Sequence, residues 1–132
     1  MSTHPSFGLT RIGQISVVVK DLPAAIAFYR DVLGMKFLFE APPQMAFFDC
    51  GGIRLLVGVA SAPEYDHPAS IIYYAVDDIQ AAASILKSRG VEFHHEPRLV
   101  AKMPAFDLWL ASFQDPSGNY LQLMSEVPKA QS

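Results

Sequence analysis

Cysteine is almost missing from this sequence, since Cys50 is the only one among 132 residues. A single cysteine cannot form a disulfide within the chain, and its rarity fits a reducing compartment such as the cytoplasm. The sequence also has no basic run, and its formal net charge is −3. Because a chain without a basic surface lacks the charges that neutralise phosphates, we expect no nucleic acid among its partners.

Long apolar runs are absent as well. No stretch approaches the roughly 18 apolar residues needed to cross a bilayer, and the N-terminus has no apolar core of a secretory signal. We therefore expect neither a membrane partner nor secretion. What the sequence does have is a hydrophobic fraction of 51% beside 17% charged residues, which is typical of a globular chain with one core.

The stretch from Phe113 to Met124 carries the first positive signal. It contains Asp115-Pro-Ser-Gly-Asn119, which has turn residues at nearly every position and apolar residues on both sides, so we predict two strands joined by a tight turn. Five positions of this pattern recur 66 residues upstream, beginning at Phe47. Val19-Lys-Asp-Leu22 likewise returns as Val76-Asp-Asp-Ile79. The sequence therefore predicts two copies of one unit of roughly 60 residues.

Each copy is predicted to fold as a strand, a helix and three strands. The helices, at residues 23–33 and 79–89, are capped by Asp21 and Asp78 and end at Gly34 and Gly90. The strands are predicted at 12–19, 35–40, 45–50, 53–59, 70–76, 91–95, 108–114 and 119–125. Residues 61–68 and 96–107 are predicted loops, the second long enough to cover a site. Residues 1–9 and 127–132 are predicted to be loose ends.

A family resemblance rests on four stretches: Ile12–Leu22, Ala27–Gly34, Val76–Ile79 and Asp115–Asn119. In this order, over about residues 10–126, they resemble the vicinal-oxygen-chelate superfamily, which includes glyoxalase I, bleomycin-resistance proteins and extradiol dioxygenases. The resemblance implies a single α+β domain of two βαβββ units, at about residues 10–60 and 69–126. It also implies that their curved mixed sheets form a cup with the helices outside.

In metal enzymes of the family, strands one, four, five and eight each contribute one side chain to a divalent ion. The corresponding positions here, located by strand phase, are Gln14, Leu56, Ile71 and Gln122. Leucine and isoleucine cannot ligate, and two neutral amides cannot offset the dehydration of a divalent cation. We therefore predict a vestigial metal site and no cofactor. A metal bound elsewhere would involve His94, His95, Glu96 or His67.

Strand alternation predicts a mostly apolar cup with a few polar groups, which is typical of small-molecule pockets. The candidate ligand-binding residues are Gln14, Ser16, Arg54, Leu56, Ile71, Tyr73, Met103, Trp109, Tyr120, Gln122 and Met124. Structural alternatives stay open for several of them. The two glutamines either contact a ligand or bond each other or a buried water. Arg54 either steers an anion or pairs with a carboxylate, and the aromatic rings are either lining or core.

Two functions are compatible with this sequence. One is a metal-free protein that binds a small apolar or aromatic molecule, as the bleomycin-resistance branch does. The other is a lyase or isomerase of the glyoxalase-like group, with His95, Tyr73 and Arg54 as candidate catalytic residues or with a displaced metal. Because His94 and His95 are adjacent on a strand, only one of them is expected to face the cup. No nucleophile–base pair is visible in the sequence, which favours binding.

The sequence also predicts a homodimer. A half-sheet with an apolar face needs cover, and a hydrophobic fraction of 51% in 132 residues leaves more apolar surface than one small core hides. The resemblance implies that the cover comes either from the other unit of the same chain or from a second chain. Twofold symmetry is the most common form of such assemblies.

Overall fold

The structure is a computed structural model that describes residues 7–129. The loose ends predicted at residues 1–9 and 127–132 therefore fall mostly outside the described residues. Of the lead-in, residues 7–9 are exposed and form no helix or strand. At the other end, residues 127 and 128 belong to the last strand and are not a loose tail.

The chain folds as two βαβββ units, which confirms the predicted α+β fold. Unit one consists of β1 (Gln14–Val18), α1 (Leu22–Ala27), a π-helical turn (Phe28–Val32), β2 (Lys36–Ala41), β3 (Met45–Cys50) and β4 (Ile53–Gly58). Unit two consists of β5 (Ile72–Ala75), α2 (Ile79–Ser88), β6 (Phe93–Lys102), β7 (Phe106–Gln114) and β8 (Tyr120–Pro128). Between them lies a link segment, residues 59–71, with a short 3₁₀ turn at Pro63–Tyr65.

Each unit forms its own four-stranded mixed sheet with the same strand order. The first sheet has the order β1-β4-β3-β2 and the second the order β5-β8-β7-β6. In both sheets the first strand of the unit runs parallel to the last strand, and the remaining pairs are antiparallel. The helix that follows the first strand provides the crossover that a parallel pair requires.

The helix starts confirm the repeat at the level of single side chains. Asp21 caps α1 by accepting a hydrogen bond from the Ala24 amide at 3.1 Å, and Asp78 caps α2 in the same way from Ala81 at 3.0 Å. The first predicted helix is not α-helical throughout, because its second half is the π-helical turn. Within residues 7–129 no helix is long and apolar enough to cross a membrane.

The prediction of a long loop at residues 96–107 is wrong. β6 continues to Lys102 and β7 begins at Phe106, so this segment is a β-hairpin with a three-residue connection. Pro97 is tolerated because β6 is an edge strand of the second sheet and its pairing shifts register between His95 and Arg98. A sequence containing Pro97 and Pro104 favours a loop unless the edge position is known.

One hydrophobic core joins both units. It includes Val17 and Phe48 from unit one and Phe113 and Leu123 from unit two, all at most 5% exposed. Aromatic packing crosses between the units, since the Phe28 and Phe113 ring centroids lie 6.4 Å apart. The helix-facing sides of both sheets are therefore buried together, and their other sides are turned away from the core.

Candidate functional site

The side of each sheet that is turned away from the core is called its open face here. Val17, Leu55 and Val57 are buried in the core, so the alternating positions of β1 and β4 point the other way. On the first sheet the open face includes Gln14, Ser16, Arg54 and Leu56, where Gln14 pairs with Arg54 and Ser16 with Leu56. On the second sheet it includes Tyr73, Tyr120, Gln122 and Met124. This is the alternation that the sequence predicted.

Arg54 organises the open face of the first sheet. Its Nε donates a hydrogen bond to Gln14 Oε1 at 2.7 Å, and its guanidinium carbon lies 5.4 Å from the centroid of the Phe47 ring. Phe47 in turn stacks on Phe39 with 4.6 Å between centroids. Arg54 is therefore held by the Gln14 amide and the Phe47 ring. The structure shows neither a hydrogen bond between Gln14 and Gln122 nor a carboxylate paired with Arg54 among the described residues.

A cleft of about 390 Å³ lies between the first sheet and the link segment. Its floor includes Ser16, Met45 and Leu56 from the open face, and its wall includes Tyr65 and His67 from the link. The remaining lining is small or apolar: Val18, Pro43, Gly58, Val59, Ala60, Ser61, Ala69 and Ser70. An apolar cavity with a few polar groups is the composition that small-molecule sites have.

The open face of the second sheet carries a polar row. Register places Tyr73 beside Gln122, Gln122 beside Ser112, and Ser112 beside His95, across all four strands. Ser112 is only 3% exposed, and its hydroxyl has no hydrogen-bond partner. Ser112 is not among the residues predicted from the sequence, because strand alternation was applied to β1, β4, β5 and β8 and not to β7.

Both neighbouring histidines reach this open face, so the expectation that only one could is wrong. Phe93 pairs with Phe113 in the core, and His94 follows it on the opposite side. A bulge at His94 then lets His95 pair with Ser112, which also faces the open side. The His94 ring meets the Tyr120 ring edge-on at 5.9 Å. The pKa of His95 is lowered mainly by partial desolvation, and to a smaller extent by the positive charges of Arg98 and His94.

Several predicted site residues are not brought together. Trp109 packs against the core on the same side of β7 as Ala111 and Phe113, so the structure does not place it in the predicted lining. Met103 lies in the β6–β7 connection, 40% exposed. The three candidate catalytic residues are also apart. Arg54 belongs to the first sheet, and Tyr73 lies three strand spacings from His95, which is about 14 Å.

The four positions equivalent to family metal ligands do not fit a divalent cation. Gln14 and Leu56 lie on the first sheet, Gln122 lies on β8, and Ile71 just before β5 is 48% exposed. The Gln14 oxygen already accepts from Arg54, whose positive charge would repel a cation. Among residues 7–129, moreover, no three His, Cys, Asp or Glu side chains come close enough to hold a metal ion.

The family of this chain is identified by its match to a known family model. Residues 11–123 match the family model described as the Glyoxalase/Bleomycin resistance protein/Dioxygenase superfamily. The chain therefore belongs to this superfamily, and its fold of two βαβββ units agrees with that assignment. No curated protein sequence is similar enough to this chain to count as a match.

Solved structures share the fold at low sequence identity. Lactoylglutathione lyase from Agrobacterium tumefaciens is 22% identical with a TM-score of 0.72, over 89% of this chain and 95% of that one. TnmS3, an antibiotic binding protein from a Streptomyces species, is 24% identical with a TM-score of 0.73, over 93% and 99%. An integron cassette protein from the mobile metagenome of V. cholerae is 17% identical with a TM-score of 0.73, over 90% and 97%. At these identities the likeness establishes the fold alone.

Proposed function

We propose that this protein binds a small apolar or aromatic molecule without a metal, on the open face of the first sheet. The observation that carries the proposal is the cleft of about 390 Å³, whose floor is Ser16, Met45 and Leu56 and whose wall is the link segment. Its volume falls within the range of about 300–1,000 Å³ that small-molecule sites occupy. The stacked rings of Phe39 and Phe47 extend the apolar surface beside it.

The donor chemistry supports binding without a metal. Two neutral amides, one of them engaged by Arg54, offer no charge to replace the hydration shell of a divalent ion. Elemental analysis after mild purification should accordingly find less than about one ion per chain. A full equivalent of Zn²⁺ or Ni²⁺, whose removal by a chelator abolishes ligand binding, would contradict this part of the proposal. TnmS3 is described as an antibiotic binding protein, so the fold serves binding in at least one similar structure.

The test uses the neutral fluorescent probe N-phenyl-1-naphthylamine. The wild-type protein should bind it with an increase in fluorescence, and Leu56→Trp should weaken the affinity by about tenfold or more, because the larger ring fills the cleft floor. Ile85→Trp is the matched control, since Ile85 is 49% exposed on α2 and far in sequence from the cleft residues. Equal affinities of wild type and Leu56→Trp would overturn the proposed site.

We propose further that two copies associate through their open faces. Tyr73 and Tyr120 on the second sheet and Ile71 directly before it are each nearly half exposed, and Phe39 is 46% exposed on the first sheet. Within residues 7–129 no hydrogen bond joins one open face to the other, so each chain leaves both faces available to a second copy.

Sedimentation at micromolar concentration tests this association. The wild-type protein should sediment at about twice the chain mass of 14.5 kDa. Ile71→Glu should shift it to the monomer, because a charge on the covered face opposes burial. Ile85→Glu places the same charge at a residue of nearly equal exposure, 49% against 48%, and should remain dimeric. A monomeric wild type would contradict the proposal.

A lyase or isomerase activity of the glyoxalase-like group is the second candidate. It is favoured by His95, whose lowered pKa keeps the imidazole neutral near pH 7 and able to accept a proton. In a lactoylglutathione lyase assay of the metal-free protein, this function requires turnover that His95→Gln removes. Absence of turnover in a protein that binds the neutral probe decides for binding.

A further inference from the structure

We propose that the polar row of the second sheet binds an anionic head group, so that the ligand is an apolar or aromatic molecule carrying a carboxylate or a similar oxyanion. The row consists of Tyr73, Gln122, Ser112 and His95, with His94 and Arg98 beside it. This inference deepens the proposed function and rests on it, including the association of two copies. Because the open faces of one chain are both turned away from its core, a ligand in the cleft of the first sheet reaches this row only where the second sheet of the other copy covers that cleft. The inference specifies the chemistry of the ligand rather than only its apolar character.

The charged side chain closest to the row in strand register, Arg98, is a cation. Arg98 pairs with Leu110, two residues from Ser112 on the same side of β7, and no ion pair of Arg98 occurs within the described part of the chain. Glu96, the nearest carboxylate in sequence, is bound by Lys87 of α2. The strand register also places the carboxylate of Glu126 on this face, opposite Leu108. It lies one open-face position further from Ser112 than the pair of Arg98 and Leu110. An oxyanion placed over the row therefore meets donors.

Ser112 is the second observation that points to a ligand. Its side chain is 3% exposed, and its hydroxyl is buried without a partner between Gln122 and His95. A buried hydroxyl without a hydrogen bond costs stability and is retained only where something compensates for it. When an N–H group of Gln122 or His95 donates to an anion, the second polar atom of the same side chain remains available for a hydrogen bond with the Ser112 hydroxyl. Ser112 then acts as a positioning residue for these two side chains.

The histidines give the row a pH dependence. The charged or titratable groups nearest to His95 are Arg98 and His94 on its own strand, and its register neighbours on β7 and β8, Ser112 and Gln122, carry no charge. His95 is neutral near pH 7 because its pKa lies below the ordinary value, so the row gains a positive charge only as the pH falls through that pKa. A bound anion favours the protonated imidazole, so anion binding strengthens toward acid pH while binding of a neutral molecule does not.

A matched pair of probes tests the inference. N-phenyl-1-naphthylamine is neutral, and 8-anilino-1-naphthalenesulfonate has the same ring framework with one added sulfonate. The wild-type protein should bind the sulfonate at least about tenfold more tightly, and the preference should grow between about pH 7.5 and pH 5.5. Arg98→Gln should remove most of the preference by weakening the affinity for the sulfonate, because it removes the cation beside the row.

Substitutions of two buried serines on adjacent strands distinguish a positioning role of Ser112 from a purely structural one. Ser112→Ala should reduce the preference for the sulfonate by about threefold without lowering the melting temperature, since it removes an unpaired hydroxyl. Ser125→Ala is the control. Ser125 is 2% exposed and donates a hydrogen bond to the Asp77 carbonyl at 3.2 Å, so its loss should lower stability and leave the preference intact.

The outcomes distinguish the two levels of the proposal. Equal affinities for the two probes, or a preference that Arg98→Gln and Ser112→Ala leave unchanged, overturn the anionic head group and its location while the proposed function stands. Failure of both probes to bind overturns the proposed function together with this inference. A preference that does not change with pH overturns the role of His95.

Discussion

Asp115 is 5% exposed, yet its carboxylate is fully engaged. It accepts hydrogen bonds from the amides of Ser117 and Asn119 at 2.9 Å, from the Asn119 side chain at 2.8 Å and from the Tyr29 hydroxyl at 2.9 Å. The first three bonds shape the β7–β8 turn, and the fourth reaches the helix of the other unit. A buried charge with four donors is stable, whereas removal of a donor leaves part of the charge without compensation.

Tyr29→Phe is the first prediction at the residue scale. At neutral pH it should lower the free energy of unfolding by about 1–2 kcal/mol, because one hydrogen bond to a buried carboxylate is lost. Burial first, and then the charge and hydrogen bond of Asp115, raise the pKa of Tyr29 far above its ordinary value of 10.0. The wild-type stability from this group is therefore fully present below about pH 10 and is lost as the pH rises above it.

Chemical denaturation between neutral pH and about pH 11 measures this effect. The wild type should lose stability at the alkaline end more steeply than Tyr29→Phe, so the difference between the two should shrink there. Tyr74, whose pKa is raised by burial, Cys50 and Asp115, contributes to the loss in both proteins. Tyr65→Phe is the control, since Tyr65 is 58% exposed and should behave as wild type. A constant difference across the pH range would contradict the prediction.

At the scale of one element, the β7–β8 turn depends on Gly118. Its φ is +89°, in the left-handed region that favours glycine, and its amide donates a hydrogen bond to the Asp115 carbonyl at 3.0 Å. Gly118→Ala should therefore lower stability by about 1–2 kcal/mol. Gly13→Ala, where no atom lies within 4 Å of the added carbon and φ is not positive, should change it by less than about 0.5 kcal/mol. Thermal melts of both variants measure the difference.

The elements were largely predictable from the sequence because the repeat fixes their order. Turn residues and apolar alternation place seven of the eight strands within three residues of their observed starts and ends, and the exception is the longer β6. β6 departs most because its length depends on an edge position that lets Pro97 stay in a strand. The edge is a property of the assembled sheet, and local sequence does not encode it.

The site was predictable only where strand alternation holds. Gln14, Ser16 and Leu56 lie on the open face as expected, since β1 and β4 pair without a register shift. The bulge at His94 breaks the alternation in β6, which brings both histidines to one side. Trp109 was predicted to line the cup because it lies beside the predicted loop at residues 96–107, whereas the structure packs it against the core.

At the scale of the whole molecule, the shared core should make the two units unfold together. Trp109 is the only tryptophan and belongs to unit two, whereas Val57, which is fully buried, belongs to unit one. Val57→Ala should therefore lower the melting temperature reported by Trp109 fluorescence, by the few degrees expected for about 1–3 kcal/mol.

Calorimetry of the same variant supplies the second readout. It should show a single transition, because the core residues of both units contact one another. Ile85→Ala, at a 49% exposed site on α2, should leave the transition where it is. Two separate transitions, or a shift that Trp109 does not report, would contradict cooperative unfolding.

The bond between Tyr29 and Asp115 also determines which units can associate. The repeat aligns Tyr29 with Leu86 and Asp115 with Asp49, so the phenol belongs only to unit one, and only the turn of unit two has Asn119 to hold its carboxylate. Two copies of unit two would place Leu86 against Asp115 and leave a carboxylate oxygen without its phenol donor. The bond thus disfavours the pairing of two copies of unit two, and it makes the turn of unit two depend on a phenol that only unit one supplies.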